Sequence, residues 1–77
     1  MTKEQMIETA EKIAANFAGN AWIKEEGNVL KQCRVYVGKG YCQITNEGVN
    51  LEQLNRNQFM DVKNFCAELQ IPTYRAL

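Results

Sequence analysis

Seventy-seven residues suffice for one domain, 1–77, and a chain this short buries only roughly 60 to 65% of the surface its unfolded form exposes. A hydrophobic share of 45% against 23% charged residues excludes intrinsic disorder, and nine basic residues cancel nine acidic ones, which argues against a polyanion-binding protein and against an acidic mimic of nucleic acid. The absence of histidine removes the commonest general base, the commonest metal ligand and every Ser-His or Cys-His nucleophile pair.

Thr2 followed by Gln5 has the form of a capping box, and behind it Met6, Ile7, Ala10, Ile13, Ala14 and Phe17 recur at helical intervals. The spacing predicts an amphipathic helix ended by Gly19 as a left-handed stop. Glu4, Glu8, Glu11 and Lys12 fall on its wet side, with Glu8 and Lys12 spaced for a weak ion pair. The charges between Met1 and Met6 stand where a signal peptide needs an apolar core, and no apolar run approaches the length of a membrane span. A cytoplasmic protein without membrane contact is expected.

Asn20 to Glu26 reads as the first strand, ended by a turn signal at Gly27 and Asn28 ahead of a second strand beginning near Val29. A Gly27-Asn28 loop puts Trp22 on the core face with Cys33; a three-residue loop puts Ala21 and Ile23 there instead. Trp22 is expected as a core anchor in either case. A binding hot spot is the other role open to the single tryptophan.

The stretch from Cys33 to Ile44 alternates apolar and polar side chains on both sides of a glycine-bracketed turn, the pattern of a β-hairpin. A Gly38-Lys39 loop suits glycine at the first central position of a type II′ turn, and it sets Val37 against Gly40, Tyr36 against Tyr41, Val35 against Cys42 and Cys33 against Ile44. A Lys39-Gly40 loop shifts the pairing but keeps the same apolar face, whereas a three-residue loop mixes Val37 with Tyr41 and is rejected. The opposite face then carries Gln32, Arg34, Tyr36, Tyr41, Gln43 and Thr45.

After the polar turn at 45–48, Val49 to Leu54 is expected to form one helical turn capped by Asn50 and Gln53, with a short strand over 49–51 as the runner-up. Asn55 has the form of an N-cap for a second helix whose apolar stripe is Phe59, Val62, Phe65, Cys66 and Leu69, and Pro72 ends it. Phe65 rather than Met60 is expected to serve the core. Residues 73–77 read as a loosely docked tail. The fold class is therefore α+β: a small two-layer α-β-β-β-α sandwich, with a three-stranded antiparallel sheet and both helices on its apolar face.

Cys33, Cys42 and Cys66 are odd in number, share no CxxC spacing and have apolar neighbours, so they are expected as reduced core fillers rather than a disulfide framework or a metal site. No metal and no cofactor is expected. Gly38-Lys39-Gly40 lacks the remaining glycine and the Lys-Ser/Thr of a phosphate-binding loop, and no spacing supplies a nucleophile with a base, so no catalytic residue is expected. The element order is similar to that of the double-stranded RNA-binding domain over nearly the whole chain. That family holds RNA phosphates with a lysine cluster at the start of its last helix, where this chain has only Arg56, with Lys63 a turn later, so no RNA-contacting residue carries over. A nucleic-acid-binding module stays the alternative, using Lys31, Arg34, Tyr36, Lys39 and Tyr41. The favoured reading is a non-catalytic protein that docks onto a protein partner through Arg34, Tyr36, Tyr41, Gln43 and Trp22, as monomer or homodimer. Small phage and mobile-element inhibitors, anti-CRISPR proteins among them, are chains of this kind, and a regulator or inhibitor of that sort is the expected identity.

Overall fold

The Thr2 capping box closes as its residue types require: the Gln5 N–H donates to Thr2 Oγ1 at 3.2 Å and the Thr2 N–H to Gln5 Oε1 at 2.8 Å. Helix α1 then runs from Lys3 to Asn16, with Ala10 and Ile13 fully buried and the Glu8–Lys12 pair at 2.9 Å on its wet side. The computed structural model describes residues 1–75, so the end of the expected tail, Ala76 and Leu77, lies outside the described residues.

Five strands follow: β1 Asn20–Glu26, β2 Val29–Val37, β3 Gly40–Thr45, β4 Gly48–Asn50 and, after helix α2 at Arg56–Glu68, β5 Thr73–Tyr74. They lie in the sheet in chain order, antiparallel except for the parallel β4–β5 pair. Three strands were expected, so the sheet is wider by one strand at Val49 and one in the tail. Val49 is a strand residue because it lies opposite Ile44 and is fully buried beneath the helices, which outweighs the capping signals around it. Its outer edge is satisfied from the tail: the Val49 N–H donates to the Pro72 carbonyl at 2.9 Å and the Leu51 N–H to the Tyr74 carbonyl at 2.8 Å. The resulting order, α-β-β-β-β-α-β, departs from that of the double-stranded RNA-binding domain.

Both helices stop on a left-handed residue that is not glycine. Ala18 has φ +51° and Gln70 φ +60°, and in each case the next N–H reaches back five residues, Gly19 to the Ala14 carbonyl at 2.9 Å and Ile71 to that of Cys66 at 2.8 Å. Gly19 is therefore not the left-handed stop. It is needed for close approach, because a β-carbon there would stand 2.6 Å from the Tyr36 carbonyl oxygen. At the β2–β3 turn Gly38 does carry positive φ, +59°, while Lys39 does not, as a Gly38-Lys39 type II′ loop requires.

The apolar face of the sheet, Cys33, Val35, Val37, Cys42, Ile44 and Val49, packs with Leu51 against Ala10 and Ile13 of α1 and Val62 and Cys66 of α2. The helices meet through an edge-to-face contact of Phe17 and Phe65, with centroids 5.5 Å apart. Phe65 is thus half-buried at the rim of the core rather than inside it. Met60 is 53% exposed, and Leu69, expected on the buried stripe, is 41% exposed. Asn55 occupies the N-cap of α2 without a side-chain cap bond. Among the described residues no helix is long and apolar enough to cross a membrane.

Two stability outcomes follow from this packing. Phe65→Ala should lower unfolding stability by about 2 to 3 kcal/mol and Met60→Ala by less than about 1, read from thermal melts followed by circular dichroism. The reverse ranking would mean that α2 presents its other side to the sheet. Gln70→Gly and Ala18→Gly should each raise stability by roughly 0.5 kcal/mol, since relief of left-handed strain exceeds the added entropy of the unfolded chain. A fall in the urea midpoint of both variants would refute the cap geometry.

Candidate functional site on the open face of the sheet

The face turned away from the helices is set by an irregularity between β1 and β2. The hairpin has the two-residue loop, with Glu26 opposite Val29 and Glu25 opposite Leu30, but Lys24 then lies opposite Gln32, leaving Lys31 as an extra residue. This bulge reverses the parity of everything before it. Ile23 comes to lie opposite Cys33 and packs against the core, while Trp22 lies opposite Arg34 on the open face and is 45% exposed. Trp22 is therefore not a core anchor. The physical reason is visible in Leu30: the core residues of β2 are the odd-numbered Cys33, Val35 and Val37, and Leu30 can join them under α1 only if one residue is looped out between. The same slip keeps the Lys24 side chain in water and lets Glu25 reach Lys3 of α1 at 2.6 Å. The break in alternation at Leu30 was the one sequence signal that could have located Trp22.

Strand parity now gathers Trp22 and Lys24 of β1, Arg34 and Tyr36 of β2, Tyr41, Gln43 and Thr45 of β3, and Asn50 of β4 on one face. Tyr74 of β5 joins them, its hydroxyl 2.9 Å from Thr45 Oγ1. All three tyrosines and the single tryptophan thus lie on the open face, while Phe17, Phe59 and Phe65 pack on the helix side. Aromatic rings with a polar handle have been sorted from those without one.

At the centre stands Arg34. Its Cζ lies 4.7 Å from the Tyr41 ring centroid and 5.8 Å from that of Trp22, and its Nη1 donates to the Tyr36 hydroxyl at 3.4 Å. Tyr36 and Tyr41, directly opposite each other as their parity requires, have centroids 5.3 Å apart with planes inclined by 46°. The hydrogen bond to Tyr36 raises the Arg34 pKa above its already high ordinary value, so the cation is permanent. Cross-strand aromatic pairs and exposed cation–π contacts are each worth about 0.2 to 1 kcal/mol, enough to hold these side chains in one arrangement without anchoring the fold. Of the residues expected at the site, Arg34, Tyr36 and Tyr41 touch one another, Trp22 joins them through the bulge, and Gln43 lies across from Arg34 with Asn50 on its other side.

The β2–β3 ladder ends at Arg34 and Gln43, so the expected pairing of Cys33 with Ile44 does not form. Beyond it the strands diverge around a cleft of about 280 Å³, walled by residues 30–33 and 43–46 and floored by Met6. The Gln32 Oε1 atom is buried there without a partner. The bulge residue Lys31 lies in this wall, and bulges increase local strand twist.

The thiols offer no reactive group. Burial pushes Cys33 and Cys66 up to about 11 and Cys42 up to about 12, so all three stay protonated and shielded at neutral pH. Among the described residues no group of three His, Cys, Asp or Glu side chains could hold a metal ion. A thiol reagent should therefore react slowly with the native protein and count three cysteines after denaturation. The unfolded chain ionises these thiols near 9 while the folded chain holds its protons to about 11 or 12, so the unfolded state sheds protons first. Stability should fall as pH rises from about 9 towards 11, with a smaller fall in Cys42→Val; rapid labelling of native protein at neutral pH would contradict this burial.

The chain matches no protein-family model, no curated protein and no solved structure.

Proposed function

We propose that this chain acts without catalysis, by docking the open face of its sheet onto a protein partner as a regulator or inhibitor. The observation that carries this reading is the assembly of Trp22, Arg34, Tyr36 and Tyr41 into one contacting cluster on a sheet surface that neither helix covers. Tryptophan, tyrosine and arginine are the residues that dominate binding energy at protein interfaces, and large rings on a rigid sheet lose little conformational freedom on binding. The fold does not need them here. A wet sheet face is equally well built from threonine, lysine and glutamate, and a 45% exposed tryptophan adds little to a core it does not touch. An inhibitor of the kind made by phages and mobile elements suits such a chain, because occupying a partner's surface requires no active site.

The second reading, stacking of nucleic-acid bases on the same rings, has less support. Among the described residues Arg34 and Lys24 on this face and Lys39 in the β2–β3 turn stand outside an ion pair, and three phosphate contacts give little of the electrostatic affinity on which non-specific binding depends. One ring surface of Tyr41 is also occupied by Arg34.

Trp22→Ala and Tyr36→Ala should each change unfolding stability by no more than about 1 kcal/mol while weakening the affinity for a purified partner by roughly tenfold or more in calorimetric titration. If both bind like the parent and charge reversals at Glu4, Glu8 and Glu11 abolish binding, α1 is the docking surface and the sheet face is scaffold. Retention of RNA or DNA at low salt, lost in Tyr36→Ala, would favour the stacking reading instead.

A further inference from the structure

We infer that the partner meets this face with a carboxylate from an acidic protein segment, seated on the guanidinium of Arg34. The inference rests on the docking reading and adds the chemistry of the partner. Arginine offers five N–H donors, and among the described residues Arg34 uses one of them, in the long 3.4 Å bond to Tyr36; its Nε is buried with no acceptor. Among the described residues no carboxylate is within ion-pair distance of it, although Lys3, Lys12, Lys31 and Arg75 each have one. The side chain is nonetheless held, between the rings of Tyr41 and Trp22. A cation whose position is fixed by aromatic walls and whose donors are unfilled loses little entropy when an acceptor arrives, and planar guanidinium matches planar carboxylate.

Charge distribution points the same way. The chain is neutral as a whole, and among the described residues Arg34 and Lys24 stand on its open face outside any ion pair, while Glu26, which strand parity places on the same face, is paired with Lys31 at 3.7 Å. The open face thus offers two cations that are not neutralised by an acid among the described residues. A partner surface bearing one or two acidic side chains complements it, and like-charged surfaces are rejected. A nucleic-acid backbone, with its many phosphates, would leave most of its charges unmatched by Arg34, Lys24 and Lys39.

The test is a heteronuclear magnetic-resonance titration of the whole chain, following the Arg34 Nε–H and the Trp22 indole N–H, with hexaglutamate, hexaglutamine, inorganic phosphate and oligothymidylate as separate probes. Hexaglutamate should shift both signals and hexaglutamine neither, and the hexaglutamate response should weaken roughly tenfold at about 0.5 M salt. Arg34→Gln should abolish the response with the fold intact by circular dichroism, and Arg34→Lys should restore only part of it. An equal response to hexaglutamine, survival of the response in Arg34→Gln, or tighter saturation by phosphate or oligothymidylate overturns the inference. So does a shift caused by raising protein concentration alone, which would seat the α1 acids of a second copy on Arg34. With a purified partner the two readings separate. If Trp22→Ala and Tyr36→Ala weaken binding but Arg34→Gln does not, docking stands and the carboxylate fails; if none of the three weakens it, docking itself fails.

Discussion

The extra residue at Lys31 governs which side of the sheet each residue of β1 meets, and through that choice the content of both faces. Leu30 and Ile23 lie beneath α1 only because the bulge lets an even-numbered residue join the odd-numbered core positions of β2. Trp22 and Lys24 are delivered to water by the same step. Without it Trp22 would lie opposite Cys33 under the helix, and Arg34 would lose one of the two rings that hold its guanidinium. Core packing and surface chemistry are therefore set by one local event, and the divergence of β2 from β3 beyond Arg34 and Gln43 goes with it.

The far edge of the sheet depends on a different constraint. Strand β4 has only three residues, and it is kept in place by β3 on one side and by the returning tail on the other. That return requires α2 to end sharply, which it does on the left-handed Gln70, so that Pro72 and Tyr74 present their carbonyls to Val49 and Leu51. Tyr74 then reaches over β4 to Thr45 and adds a fourth ring with an O–H or N–H group to the open face. The helix cap, the tail strand and the surface aromatics are thus linked in one chain of cause.

The two sides of the sheet differ in what they carry. Burial of small aliphatic and thiol side chains under two helices supplies the fold, leaving the outer face free to carry residues chosen on other grounds. That face is rigid because its strands are hydrogen-bonded on both sides through β2, β3 and β4, and its central cation is braced by rings rather than neutralised by an acid. Among the described residues Arg34 and Lys24 keep their charge on this face outside any ion pair, although the chain is neutral as a whole.

Local patterns determined a good deal of this. The capping box at Thr2, the alternation from Cys33 to Ile44 and the type II′ preference of Gly38-Lys39 each depend on neighbours within a few residues, so the first helix, the central hairpin, its register and the set Arg34, Tyr36, Tyr41 and Gln43 were legible in the chain itself. Tertiary structure decided the rest. Strand β4, the runner-up reading over 49–51, pairs with its neighbour β3, but β5 exists because residues far apart in sequence satisfy each other's backbone groups, Val49 against Pro72 across a helix, and no window of local pattern contains that pairing. The place of Trp22 was decided in the same way: the turn signal at Gly27 and Asn28 leaves two registers open with a core tryptophan expected in either, but the cost of leaving Leu30 and Ile23 outside the core and Lys24 inside it shifts the register by one residue, and a one-residue shift exchanges the two faces of a strand.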